Sequence, residues 1–142
     1  MIKIIVAAHC GLAAEFVNAA VAISGTHPNL YFVERSSNGS LQHIYLSIET
    51  LLKDIIDDDG ILILTDLLGG SPCNAAIQAS MNLKVEVISG VNLPMILSAV
   101  MLSTTNINLS ELAKKVLNKG QKSIVNVKKL LEEHQNTICK GK

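Results

Sequence analysis

Four short apolar runs, at positions 2–8, 30–33, 61–64 and 85–88, constrain this chain more than any other feature. The first is apolar at almost every position and rich in β-branched residues, so it reads as a strand covered on both faces, as in a parallel sheet. Helical patterns separate the runs. Leu12, Phe16, Val17, Ala20, Val21 and Ile23 recur at helical spacing until Gly25 stops them. Ser40 reads as the N-cap of a helix over 40–56, which Asp57-Asp58-Asp59-Gly60 ends. Ser71-Pro72 reads as an N-cap followed by a proline at the first helical position, opening a helix that runs to about Met81. Further helices are expected at 93–102 and 109–117, with a polar loop at 36–39. Strands alternating with helices form βαβ units that connect right-handed. The expected fold is therefore α/β, a three-layer sandwich around a mostly parallel, doubly wound sheet of four parallel strands. Residues 124–127 alternate weakly and read as an additional antiparallel edge strand, with Gly120 as the bend before it.

Composition removes several classes of function. A chain of 142 residues suits one domain, and 49% hydrophobic residues are ample for a core. Twelve basic and twelve acidic residues cancel, leaving no broad positive field for nucleic acid. The longest nearly apolar run, 91–102, contains Asn92, Pro94 and Ser98 and is too short to span a bilayer. Lys3, the apolar stretch 4–8 and Ala20-Val21-Ala22 imitate a signal peptide, but His9, Glu15 and Asn18 interrupt it. Cys10, Cys73 and Cys139 are odd in number and show no paired spacing, which favours a reducing, cytoplasmic setting.

In an open parallel sheet, ligands bind outside the carboxyl ends of the strands. That rule sorts the polar residues. His9 lies just past the first strand, Asp66 just past the third, and Ser89-Gly90 past the fourth, whereas Asp57–Asp59 belong at the opposite edge. His27, His43 and His134 read as surface or structural residues. A carboxylate beside an imidazole fixes its tautomer and stabilises charge on the ring. The turn Gly69-Gly70-Ser71 into a helix offers unpaired N–H groups to an anion. Together these groups suit a histidine that accepts a phosphoryl group, with His9 as nucleophile, Asp66 as its partner, and Gly69, Gly70 and Ser71 around the phosphate. A purely structural role for the same residues, or a metal held by His9, Cys10 and Asp66, stays open at this level. No phosphate loop of the GxxxxGK[ST] type and no GxGxxG occurs, and Arg35 is the sole arginine, which excludes a Cys-x5-Arg phosphatase loop. Cys73, near a helix start, reads as a packed thiol. No metal and no cofactor are expected.

At these positions the sequence resembles enzyme IIA of the mannose family of the phosphoenolpyruvate-dependent sugar phosphotransferase system. The segments that carry the resemblance are Ile4-Ile5-Val6-Ala7-Ala8-His9 with Ala13, the block from Leu64 through Asp66, Gly69, Gly70, Ser71, Pro72 and Cys73 to Ala76, and Gly90-Val91-Asn92-Leu93-Pro94-Met95. The resemblance implies that His9 receives a phosphoryl group from the histidine-containing phosphocarrier protein and passes it to enzyme IIB. It implies further that Asp66 partners His9, that Ser71 lies near the phosphate, and that the protein serves the membrane permease components IIC and IID indirectly. Cys10 stands where the family usually has glycine, and Glu15 where a small residue is common.

Two other readings stay open beside it: a regulatory or ligand-sensing module with the same fold, and the phosphotransfer subunit of a dihydroxyacetone kinase. Gly69-Gly70-Ser71-Pro72 favours the sugar branch. The resemblance also implies a homodimer. The whole chain, 1–142, then reads as one enzyme IIA domain with a core over about 1–120, a strand over about 121–128 exchanged between subunits, and a tail over 129–142.

Overall fold

A computed structural model describes residues 1–35 and 38–141, so Ser36 and Ser37 of the expected loop and Lys142 of the tail lie outside the described residues. The strands are β1 (Lys3–His9), β2 (Leu30–Arg35), β3 (Ile61–Thr65) and β4 (Val85–Ser89). The helices are α1 (Leu12–Ser24), α2 (Leu41–Ile55), α3 (Ser71–Ala79), α4 (Leu93–Leu102), α5 (Leu109–Lys122) and α6 (Val127–Lys140). The sheet has the order β2-β1-β3-β4, and every pairing is parallel.

The strands alternate their side chains between two apolar layers. Ile4, Val6, Ala8, Leu62 and Leu64 pack with Ile96, Val100, Leu112 and Val116 of α4 and α5. Ile5, Ala7, Ile61 and Ile63 pack on the other side with Ile44, Ile48 and Leu52 of α2 and Ala75 and Ala76 of α3. Both faces of the central strands are thus covered, which is why their sequences are continuously apolar rather than alternating.

The two edges of the sheet are built differently. At the amino ends of the strands, Lys3 pairs with Asp57 and the Lys84 ammonium donates to the Asp58 carbonyl. Buried Asn29 donates to the Ile2 carbonyl and to the Ser103 hydroxyl, both at 2.8 Å. The acidic run therefore ties down the edge opposite His9. At the carboxyl ends, the chain runs from β1 outward to β2 and returns to the other side of β1 as β3. His9 and Asp66 end up on neighbouring strands where this order reverses, the place where open sheets bind ligands.

Three sequence-based expectations need correction. No edge strand forms at 124–127, nor anywhere in 121–128. Lys122 ends α5, and α6 begins at Val127 with the Asn126 side chain accepting from the Lys129 N–H at 3.1 Å. A strand on one chain has no ladder to join there, whereas the asparagine offers a local hydrogen bond at once. Gly120 is no bend. It sits inside α5, where an added Cβ would stand 2.5 Å from Met95 Cγ, so its lack of a side chain lets α5 close on α4. The N-cap of α3 is Gly70, not Ser71, and Ser71 and Pro72 occupy the first helical positions. A tail without buried residues results: α6 leaves Leu130, Leu131 and Ile138 exposed.

Candidate active site

His9 is the last residue of β1, and the central strand delivers it half-buried to the sheet edge. Asp66 follows β3 directly and meets it twice. One carboxylate oxygen, Oδ2, accepts the His9 backbone N–H at 2.9 Å and lies 2.8 Å from His9 Nδ1. The other, Oδ1, accepts the Leu67 N–H at 2.9 Å. An ionised carboxylate only accepts, so Nδ1 carries the ring proton and Nε2 keeps its lone pair. Burial alone would raise the Asp66 pKa. The backbone and ring N–H bonds from His9, the charge the ring carries when protonated, and the Leu67 N–H outweigh it and hold the carboxyl below its ordinary value of 3.8.

The turn after Asp66 closes over the imidazole. A Cβ placed on Gly70 would stand 2.8 Å from His9 Cε1 and 3.1 Å from the Leu67 carbonyl oxygen, so only glycine lets this backbone lie against the ring. Gly69 has φ +78, the left-handed region that favours glycine. Asn74 Nδ2 donates to its carbonyl at 3.2 Å and holds the turn from within α3. Because Gly70 is the N-cap and has no side chain, α3 begins without a side-chain hydrogen bond to its first N–H groups. The start of α3, whose first N–H groups no side chain caps and where the helix dipole is positive, therefore follows directly on the glycine that lies against the imidazole.

Of the residues expected at the site, the structure therefore joins His9, Asp66 and Gly70, with Gly69 and Ser71 as their immediate neighbours. Ser89 ends β4 and Gly90 follows with φ +80, but Val91 N–H donates to the Thr65 carbonyl at 2.9 Å, so that turn braces β3. Asn92 caps α4 and donates to the Gly120 carbonyl at 3.2 Å. Cys73 is buried. His43 and His134 are exposed on helices, and His27, whose Nε2 lies 2.8 Å from the Ser24 hydroxyl, sits at the amino end of β2, opposite the edge that holds His9. Cys10 is exposed and has φ +51, the left-handed conformation for which glycine is the easy residue.

Two contributors were not read from the sequence. Asn74 is one, and its spacing of five residues from Gly69 is the signal that marks it. Glu34 is the second. Its Oε1 accepts the Ala14 N–H at 3.1 Å, capping α1 from the neighbouring strand, a contact across twenty residues that no local pattern announces.

The family model described as the PTS system fructose IIA component, EIIA-man, matches residues 3–117. The fructose-specific EIIA component of the phosphotransferase system of Bacillus subtilis (strain 168) is 29% identical over 103 residues, 72% of this chain and 70% of that protein. The mannose-specific EIIAB component of Escherichia coli (strain K12) is 25% identical over 124 residues, 87% of this chain but only 38% of the longer protein. Among solved structures, the phosphotransferase system component EIIA from Streptococcus agalactiae superposes with a TM-score of 0.80 at 30% identity, over 91% of this chain and 99% of that one. A four-stranded parallel sheet, the histidine and carboxylate at its switch point, and a family match over most of the length lead to one assignment: the chain belongs to the mannose-family enzyme IIA components of the phosphotransferase system, EIIA-man.

Proposed function

We propose that this protein is a phosphoryl carrier that accepts the group on His9 Nε2 from the histidine-containing phosphocarrier protein and passes it to enzyme IIB. The observation that carries this reading is the Nδ1 contact to Asp66 at 2.8 Å, which leaves Nε2 as the free nucleophilic nitrogen. In the forward step the Nε2 lone pair bonds to phosphorus as the phosphorus–nitrogen bond of the donor breaks. The departing electron pair stays on the donor's histidine. The ring of His9, bonded at both nitrogens, gains positive charge, which the Asp66 carboxylate balances. The open start of α3, with Gly69, Gly70 and Ser71, receives the phosphoryl oxygens. The reverse geometry serves the onward step to enzyme IIB, so one site handles both partners in turn and the permease components IIC and IID are served indirectly. We place this work in the cytoplasm. Among the described residues no helix is long and apolar enough to cross a membrane.

We further propose a homodimer. Ile124 (79% exposed), Val125, Val127, Leu130, Leu131 and Ile138 all stand exposed on one short tail, and clustered exposed apolar residues mark protein–protein contacts. A second copy supplies the same surface, and two-fold symmetry covers both.

Incubation with phosphoenolpyruvate, enzyme I and the phosphocarrier, followed by mass spectrometry of the acid-labile phosphate, tests the carrier role. Label is expected on His9 and on none of His27, His43 and His134. A His9→Gln variant that labels fully would overturn it.

A further inference from the structure

We propose that Glu34 is a positioning residue for phosphoryl transfer: by capping α1 with its carboxylate it holds the turn that carries His9 and leaves the start of α3 to the phosphoryl group. This rests on the reading of His9 as the phosphoryl carrier.

The link between β1 and α1 is short. Only Cys10 and Gly11 separate His9 from Leu12, the first residue of the helix. With two residues between them, any displacement of the helix start passes directly to His9. Cys10 adds strain in that link, since its φ of +51 is unfavourable for a residue with a side chain. Something must hold the turn in this shape. The N-cap, Gly11, has no side chain and makes no side-chain hydrogen bond. Glu34 supplies the missing acceptor, taking the Ala14 N–H at 3.1 Å, while Oε1 lies 3.9 Å from the place of a Gly11 Cβ. The Glu15 N–H to the Gly11 carbonyl, at 3.2 Å, then continues the helix.

Register explains why the carboxylate reaches α1 and not the imidazole. Glu34 pairs with Ala8, which packs in the layer that contains Ala13 of α1. His9, one residue on, belongs to the opposite face, where Gly70 meets its ring. The site is thus bounded by two helix starts on opposite faces of the sheet. One is filled by a fixed anion of the protein, and the other is open.

Single-turnover transfer from the phosphorylated donor, measured on the full chain, decides the proposal. Glu34→Gln keeps an acceptor oxygen at full reach and is expected to transfer within about twofold of wild type. Glu34→Ala removes the cap and is expected to be about tenfold slower, with the ¹⁵N signals of the His9 ring shifted or broadened. Glu34→Asp keeps the charge but shortens the reach, and is expected to fall between them. Alanine at the wild-type rate, or aspartate faster than glutamine, would overturn the positioning role; the second comparison stands even if the alanine variant does not fold. Wild-type protein that takes no label on His9 would instead refute the carrier reading. Labelling of wild type with an equally fast Glu34→Ala variant refutes only the role of Glu34.

Discussion

The starts of α1 and α3 lie at the same edge of the sheet, on either side of His9, yet they are finished in opposite ways. At α1 the cap position is a glycine and a carboxylate from the next strand fills in. At α3 the cap position is also a glycine, and no side chain fills in. The remaining helices are capped by their own neighbours: Ser40 at α2, Asn92 at α4, Asn108 at α5 and Asn126 at α6. A side-chain cap is worth about 1 kcal/mol, so leaving α3 without one sacrifices stability at the one helix whose start adjoins the imidazole. A side-chain cap and a bound anion would take the same N–H groups, so a helix start that is capped for stability is lost to an anion, and one left uncapped is not.

The largest effect is expected from the carboxylate that couples the open start to His9. In Asp66→Asn the amide can present its oxygen to His9, but its NH₂ then faces the Leu67 N–H, donor against donor. The charge that balances the ring is also gone. Transfer should slow by up to about 10⁴, the cost of neutralising an orienting aspartate in a protease triad, while circular dichroism shows the fold intact. An Asn variant at the wild-type rate would show that His9 acts without a carboxylate.

Next come two changes at the open start itself. Gly70 has φ −71, which any residue adopts, so Gly70→Ala strains no dihedral, and its methyl group meets His9 Cε1 most closely, with the Leu67 carbonyl oxygen next. Displacing the ring should cost about 10² in transfer rate, with a small change in melting temperature. If stability collapses instead, the glycine serves the backbone and not the ring. Ser71→Asp would give α3 a fixed anion like the one α1 already has. Stability should rise by about 0.3–1 kcal/mol through the helix dipole, and transfer should fall by about 10² through repulsion of the phosphoryl group. Faster or unchanged transfer in this variant would show that the start of α3 does not receive the phosphoryl group.

Acid should remove part of this design. The Asp66 pKa is depressed in the folded chain, so its contribution to stability is complete above the unfolded value and is lost as pH falls through the folded one. The gap in melting temperature between wild type and Asp66→Asn should therefore be constant above about pH 5 and close in stronger acid. A gap that widens there would reverse the sign of the coupling. The smallest effect belongs to Cys10. Cys10→Gly relieves the positive φ and should stabilise by about 0.5–1 kcal/mol in denaturant unfolding, net of the entropy of glycine. Phosphotransfer should be retained, and its loss in a folded variant would give the thiol a part in the chemistry.

Much of this arrangement was legible in the sequence because parallel strands carry a strong signal. Strands buried on both faces must be continuously apolar, so the polar residues at their carboxyl ends stand out: His9 directly after the first run, and Asp66 one residue beyond buried Thr65 after the third. The failures share a cause. At 124–127 the apolar Ile124, Val125 and Val127 suggested a strand, but Asn126 is also a helix cap, and local capping prevailed where no neighbouring strand was available. Gly120 looked like a hinge and is a point of close helix contact with Met95. Glu34 stayed hidden because its partner, Ala14, is twenty residues away and the contact depends on parallel register.

In the proposed carrier role, Nδ1 of His9 stays bonded to Asp66 while Nε2 does the chemistry. Long-range ¹H–¹⁵N correlation of the ring, recorded before and after phosphorylation, tests it most directly. A proton on Nδ1 in both states, and phosphorus coupled to Nε2 in the second, are expected. Phosphorus coupled to Nδ1, or a free ring with its proton on Nε2, would contradict it.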